Sequence, residues 1–138
     1  MYGRMRRTVL IVDDTQHYAS TLEIAMQQAS DLDVVHALSG RDAIAYLQGQ
    51  SGKDVCAVVT DLQMPVMDGF ELIKWIRSNG NLRSLPIVVV SGTTDPSVKD
   101  RSRMLGADAF FAKPCSPAEV RIKVQELVRQ REGKGADG

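Results

Sequence analysis

Three things are scarce in this sequence of 138 residues: cysteine, long apolar runs and an excess of either charge. The two cysteines, Cys56 and Cys115, are too few and too far apart for a disulfide framework or a zinc site. No apolar run is long enough to span a membrane, and no signal-peptide pattern opens the chain. Basic and acidic residues number 17 each, so the basic footprint of a nucleic-acid binder is missing. We therefore expect a soluble cytoplasmic protein that binds neither membranes nor nucleic acid.

What the chain does contain is an alternation of strand-like and helix-like segments. With 43% apolar residues, it has the material for one domain with one sizeable core. The strand candidates are almost continuously apolar, which indicates strands covered on both faces, as in a parallel sheet. They are residues 8–13, 33–38, 55–60, 86–91 and 108–112. The helical patterns between them predict an α/β fold, a doubly wound five-stranded parallel sheet with five helices on both faces.

Start signals mark four of the predicted helices. Each combines an N-cap side chain with a proline or an acid in the first turn: Ser39–Asp42, Asp68–Glu71, Asp95–Pro96 and Ser116–Glu119. We expect residues 1–7 to form a solvated basic lead-in, residues 8–131 the domain, and the glycine-rich residues 132–138 a flexible tail. The initial methionine favours an intact N-terminus.

Polar and charged side chains stand where four of the apolar strands end. Asp13 and Asp14 follow the first strand, Asp61 the third and Lys113 the fifth, while Ser91 ends the fourth. An unpaired carboxylate near a core is costly to desolvate. Open α/β sheets bind their ligands beyond the carboxyl ends of the strands. These residues therefore predict one site, in which a cation and a lysine hold the acids together.

Four stretches of the chain resemble the receiver domain of two-component response regulators, and the resemblance covers about residues 7–130. In this order and spacing the motifs are highly specific. They are Val9–Asp14, Val59–Gly69, Pro86–Gly92 and Phe110–Pro114. The resemblance implies a flavodoxin-like fold with strand order 2-1-3-4-5, as in chemotaxis regulators.

The resemblance also implies the chemistry of the acids. Asp61 would be the phosphoacceptor, because a carboxylate can act as the nucleophile and form an acyl phosphate. Asp13, Asp14 and Asp61, with the main-chain carbonyl of Gln63, would hold Mg²⁺ or Mn²⁺, with Asp13 acting through water. From the residues alone two alternatives stay open. Asp13 and Asp14 could be an exposed turn that caps the first helix, and Asp61 could cap the loop before the third helix.

Further positions of the family's phosphoryl site match this chain. Lys113 would contact the phosphoryl oxygens, and its peptide bond to Pro114 is typically cis in the family. Ser91 stands where the family carries a hydroxyl that moves to bond the phosphoryl group, and Gly92 leaves room beside it. A plain turn at the strand end is the alternative for these two residues. The positions that border the path of the hydrolytic water in the family are Gln63 and Thr93.

One position departs from the common pattern. Phe110 lies at the switch-aromatic position, three residues before Lys113, where many relatives have tyrosine. A phenylalanine can still change rotamer, but it cannot make the hydroxyl bond. An ordinary core phenylalanine is the alternative.

These features predict a phosphorelay switch without separate substrate turnover. Its partners would be a sensor histidine kinase or a histidine phosphotransfer protein, and a downstream protein or an output domain outside this chain. Phosphorylation would act through the face of helix 4, strand 5 and helix 5, in a monomer or an activation-dependent dimer.

Three other classes of protein fit less well. An aspartyl-phosphate hydrolase needs an acid two residues after the nucleophile, where this chain has Gln63. A flavin-binding module would want a hydroxyl-rich loop in place of Asp13–Gln16, whose acids repel phosphate. A receiver-like binding module that works without phosphorylation would lack the acceptor or the metal acids, and both are present.

Overall fold

The computed structural model describes residues 7–93 and 95–137, with side chains described up to residue 133. Residues 1–6 of the predicted lead-in and the last residue of the predicted tail lie outside the described residues. The sheet consists of β1 (Thr8–Val12), β2 (Asp33–Ala37), β3 (Val55–Thr60), β4 (Ile87–Ser91) and β5 (Ala109–Ala112). These bounds agree with the predicted strands to within about one residue, because apolar runs bounded by polar residues mark strand ends well.

Helices connect consecutive strands and follow the last one. They are α1 (Gln16–Met26), α2 (Gly40–Gln48), α3 (Gly69–Arg77), α4 (Pro96–Leu105) and α5 (Pro117–Asp137), with short 3-10 helices at Gln50–Asp54 and Gly80–Leu82. The four predicted start signals are confirmed. Asp68 and Glu71 form a full capping box, with N–H to carboxylate distances of 2.9 and 3.2 Å. The other N-cap side chains that accept from the first turn are those of Ser39, Asp95 and Ser116.

The strands pair in the order β2-β1-β3-β4-β5, and every neighbouring pair is parallel. This confirms the predicted doubly wound sheet and its strand order. At the end of β1, Val12 pairs with Ala37 of β2 on one side and with Thr60 of β3 on the other. The residues that follow β1 and β3 therefore emerge side by side at the carboxyl edge of the sheet.

Apolar side chains cover both faces of the sheet, which explains why its strands are apolar throughout. Along β1, Val9 and Ile11 pack toward α1 and α5, and Leu10 and Val12 pack toward α2 and α3. All four side chains are fully buried. Among the described residues, none of the helices combines the length and the apolar character needed to cross a bilayer.

The helix α5 continues past the predicted domain boundary at residue 131, to Asp137, and the position of the boundary itself stays a prediction. The earlier turns of this helix are anchored by the buried side chains of Val120, Val124 and Val128. The guanidinium of Arg7 also lies 2.9 Å from the carboxylate of Glu132. Once a helix is anchored, each further residue adds a hydrogen bond without a new nucleation cost, so glycines late in the segment do not end it. The flexibility of the tail stays a prediction.

Candidate functional site

Hydrogen bonds between strand ends hold the candidate residues in place. The N–H of Asp13 donates to the last residue of β2 at 3.1 Å, and that of Asp61 donates to the last residue of β1 at 3.0 Å. The N–H of Lys113 donates to the last residue of β4 at 2.8 Å. Each residue therefore starts from a fixed backbone position, and the three side chains converge at one edge of the sheet.

Asp61 lies almost buried, with 8% of its surface exposed. Its Oδ1 accepts from the N–H groups of Leu62 at 2.7 Å and Gln63 at 3.3 Å, while Oδ2 accepts from Lys113 Nζ at 3.3 Å. Burial raises the pKa of Asp61, Lys113 opposes that shift, and the charge of Asp13 adds to it. The backbone bonds orient the carboxylate, and nearby positive charge favours its ionised form.

Three carboxylates surround one point at this edge. Asp13, Asp14 and Asp61 each offer an oxygen, and these oxygens lie within 4.8 Å of one another. Asp13 is 2% exposed, and its Oδ1 accepts from the N–H of Thr15 at 2.7 Å, whereas Asp14 is exposed. An all-oxygen set of this kind suits a hard divalent cation such as Mg²⁺. The residues present therefore fit the predicted metal.

Lys113 supplies the positive charge of the site. Its Nζ lies 3.2 Å from Asp13 Oδ2 and 3.3 Å from Asp61 Oδ2, so one ammonium bridges both acids. The same Nζ lies 4.3 Å from the centre of the Tyr18 ring. The peptide bond from Lys113 to Pro114 is cis. The lysine predicted from strand five thus meets the acids predicted from strands one and three.

Three of the remaining predicted residues, Gln63, Ser91 and Thr93, line an open cleft that also includes Leu62, the residue after Asp61. Ser91 is fully buried, and its Oγ accepts weakly from the N–H of Thr93 at 3.5 Å. A Cβ added to Gly92 would meet no atom within 4 Å, so the space beside this residue is open; its role in phosphoryl binding stays a prediction. The cleft has a volume of about 550 Å³.

Phe110 lies away from this cluster, on the face of the sheet that α2, α3 and α4 cover. Its side chain is partly buried and packs against the core there. The ring also lines a smaller cavity of about 110 Å³ beside α4. This packing agrees with the alternative of a core phenylalanine, and its role as a switch stays a prediction.

Sequence reasoning missed two residues beside the acids and the lysine, His36 and Tyr18. His36 Nε2 hydrogen-bonds the main-chain oxygen of Asp13 at 2.8 Å. Tyr18 reaches Lys113 through its ring and the Cys115 sulfur through its hydroxyl at 3.0 Å. Its contacts join residues 97 positions apart, and no local spacing signals them.

Comparison with known proteins agrees with this arrangement. The model of the response regulator receiver domain matches residues 9–125. The chemotaxis response regulator CheY4 of Vibrio cholerae superposes with a TM-score of 0.75 and 30% identity, over 88% of this chain and 98% of that one. The receiver domain of a signal transduction histidine kinase from Syntrophus aciditrophicus gives a TM-score of 0.78 and 28% identity, over 89% and 90%. This chain belongs to the response regulator receiver domain family.

Sequence relatives point to two-component signalling as well. The transcriptional regulatory protein GltR of Pseudomonas aeruginosa is 31% identical over 90% of this chain and 50% of its own length. A chemotaxis protein CheY homolog of Campylobacter jejuni is 26% identical over 93% of this chain and 97% of its own length. The chain thus spans about half the length of several curated relatives that it matches, and nearly all of others.

Proposed function

We propose that this receiver domain is a phosphorylation-controlled switch that accepts a phosphoryl group on Asp61. The observation that carries the proposal is the position of Lys113 Nζ, 3.2 Å from Asp13 and 3.3 Å from Asp61, within a cluster of three acids. A purely structural role does not explain three carboxylates at one strand edge, because like charges there oppose each other. A site for a transferable phosphoryl group and a cation does explain them.

The step itself is a displacement at phosphorus. A carboxylate oxygen of Asp61 uses a lone pair to form a bond to phosphorus, and the bond from phosphorus to the donor's histidine nitrogen breaks. The imidazole leaves with that electron pair and takes up a proton. Lys113 balances the charge that develops on the phosphoryl oxygens, and the Ser91 hydroxyl donates to one of them. Gly92 leaves the approach open.

Mg²⁺ or Mn²⁺ would be held by Asp13, Asp14, Asp61 and the main-chain oxygen of Gln63. When bound, it would neutralise acid and phosphoryl charge and so lower the repulsion between nucleophile and donor. Asp13 and Asp61 already share the ammonium of Lys113, which leaves the exposed Asp14 as the acid most open to a cation from solvent.

The partners follow from this chemistry. A cytoplasmic sensor histidine kinase or a histidine phosphotransfer protein would supply the phosphoryl group. The face of α4, β5 and α5 would carry the signal to a downstream protein, or to an output domain outside this chain. Because the domain both accepts and loses the phosphoryl group, we class it as a switch and not as an enzyme with its own substrate. A hydrolase role is disfavoured by Gln63, which cannot donate a proton to a leaving group.

Acetyl phosphate labelling followed by intact-protein mass spectrometry tests the proposal. We expect one phosphoryl adduct that requires Mg²⁺ and disappears in Asp61→Asn. Asp100, an exposed acid on α4, gives the matched control Asp100→Asn, which should label like the wild type. Beryllofluoride binding provides a second readout that does not depend on the donor.

Each result has a defined meaning. An adduct that survives in Asp61→Asn would show that another residue is the acceptor. Failure of both labelling and beryllofluoride binding in the wild type would favour a binding module that works without phosphorylation.

A further inference from the structure

The ring of Tyr18 lies over the ammonium of Lys113, which the two acids also contact. The ring belongs to the first turn of α1, and its centre lies 4.3 Å from Nζ. The face of an aromatic ring carries negative potential and attracts a cation at this distance. Lys113 is therefore held by three groups: two carboxylates and one ring.

The tyrosine is itself fixed at both ends. Its backbone is part of α1, and its hydroxyl lies 3.0 Å from the sulfur of Cys115, two residues beyond Lys113. Both Tyr18 and Cys115 are partly buried and pack against the core on the face of α1 and α5. Burial, followed by the bond to Cys115, raises the pKa of Tyr18, so the phenol stays neutral and its hydroxyl intact. The ring is a rigid surface against which the lysine lies.

The three contacts of Lys113 do not change equally during phosphoryl transfer. The oxygens of Asp61 lose their full carboxylate charge when one of them bonds phosphorus, so that contact must be exchanged for one with a phosphoryl oxygen. Asp13 keeps its charge, and its other oxygen is held by the N–H of Thr15 at 2.7 Å. The Tyr18 ring, by contrast, has the same charge distribution before and after phosphoryl transfer. It can guide the flexible lysine stem while the Asp61 contact is exchanged.

We propose that Tyr18 is a positioning residue, whose ring keeps the Lys113 ammonium within reach of the phosphoryl group on Asp61. The inference rests on the proposed phosphorylation of Asp61 and adds to it a residue on α1. Tyr18 has no direct part in bond making. It acts by limiting the positions that the lysine can take.

The sharpest test weakens the negative potential of the ring face while the size of the ring is kept. The series runs from Tyr18→Phe to phenylalanine derivatives at this position with one and then three ring fluorines. It keeps the shape of the ring and progressively weakens its negative face. We expect the rate constant of labelling at saturating acetyl phosphate to fall stepwise along this series, while the donor concentration at half-saturation stays constant. The same series at Tyr46, a partly buried tyrosine on α2, is the control and should leave the rate unchanged.

Tyr18→Leu removes the ring altogether. Its rate should drop about three- to tenfold, the range expected for loss of one cation–π contact, and Tyr18→Phe should recover most of that loss. A second readout is the ¹³C–¹H resonance of the Lys113 ε-methylene, assigned through Lys113→Arg. It should lie upfield in the wild type, because the ring shields it, and move downfield in Tyr18→Leu.

The possible results separate this inference from the proposed function. If the wild type labels but the rate is flat along the fluorinated series, Tyr18 is not a positioning residue and phosphorylation of Asp61 stands. If Tyr18→Phe is as slow as Tyr18→Leu, the hydroxyl matters instead of the ring and the inference is wrong. If the wild type takes up no phosphoryl group from acetyl phosphate and binds no beryllofluoride, the proposed function fails and this inference fails with it.

Discussion

At the scale of single residues, the two cysteines lie in different surroundings. Cys56 lies in β3, between buried neighbours, and packs against the core on the face of α1 and α5. Burial raises the pKa of its thiol from 9.0 to about 11. Cys115 lies just beyond Lys113 and contacts the hydroxyl of Tyr18. One thiol is thus a core residue, and the other belongs to the support of the site.

The shifted thiol of Cys56 predicts a loss of stability in alkali. Between pH 9 and about 11 the unfolded chain releases this proton while the folded chain retains it. The unfolded state then binds fewer protons, so the free energy of unfolding must fall as pH rises. We expect a decrease on the order of 1–3 kcal/mol across this window, measured by urea unfolding. Cys56→Ala should be less stable at pH 8, and its free energy of unfolding should decrease less steeply with pH. Equal slopes in both proteins would show that the Cys56 thiol does not cause the decrease.

The acids and the lysine could be predicted because each one directly follows an apolar strand. Asp13, Asp61 and Lys113 are charged residues that end apolar runs. Because open α/β sheets bind ligands at the carboxyl edge, all three are expected in one site. Tyr18 and His36 could not be predicted in this way. Tyr18 lies in α1 and His36 in β2, and neither residue interrupts the sequence pattern of its helix or strand. Their contacts with the site depend on how neighbouring elements pack together, which the sequence pattern does not reveal.

At the scale of elements, the end of α4 is stabilised from α3. Gly106 follows α4 with φ of 114°, a left-handed conformation that favours glycine. The guanidinium of Arg77, the last residue of α3, donates to the carbonyl of Gly106 at 2.7 and 3.0 Å and to that of Leu85 at 2.7 Å. It also lies 3.0 Å from the carboxylate of Asp108. One arginine thus ties the ends of α3 and α4 to the strands β4 and β5.

Gly106→Ala should destabilise the domain by about 1–3 kcal/mol. The added Cβ would have an unfavourable φ and would come within 2.8 Å of Arg77 Nε, which must then shift from its carbonyl bonds. Gly80 is the matched control, because a Cβ there meets no atom within 4 Å. Chemical unfolding of both variants at pH 7 measures the difference. Equal stability of Gly106→Ala and Gly80→Ala would show that neither the conformation nor the contact matters.

Helix starts could be predicted better than helix ends. Asp68 and Glu71 are three residues apart and satisfy each other's backbone groups locally, so the sequence alone identifies their capping box. The end of α5 depends instead on anchoring from elsewhere, including the pair formed by Arg7 and Glu132. A glycine-rich composition indicated a break there, and the anchored helix continues through it.

At the scale of the whole molecule, the strand order makes the site. Alternating strands and helices predict a parallel sheet, but they do not fix which strands are neighbours. The order came from the resemblance to receiver domains, and the structure confirms it. Because β1 lies beside β3, and β4 separates β3 from β5, Asp13 and Asp61 are adjacent and Lys113 reaches them across the edge. In a different strand order, the same residues would lie farther apart along the edge of the sheet.

A site whose acids follow two separate strands, β1 and β3, would couple metal binding to global stability. A cation that binds only when Asp13, Asp14 and Asp61 are brought together stabilises the folded state by RT ln(1 + [L]/Kd), about 1.4 kcal/mol at ten times Kd. For a domain of this size, we expect added MgCl₂ to raise the melting temperature by roughly 4–7 °C. Asp14→Asn removes the charge of the most exposed of the three acids, so the increase should largely vanish. Asp100→Asn should retain it, and choline chloride at equal ionic strength should reproduce little of it in the wild type. An equal increase in Asp14→Asn would mean that Mg²⁺ acts elsewhere on the surface, and it would contradict the proposal that the acid cluster binds the metal.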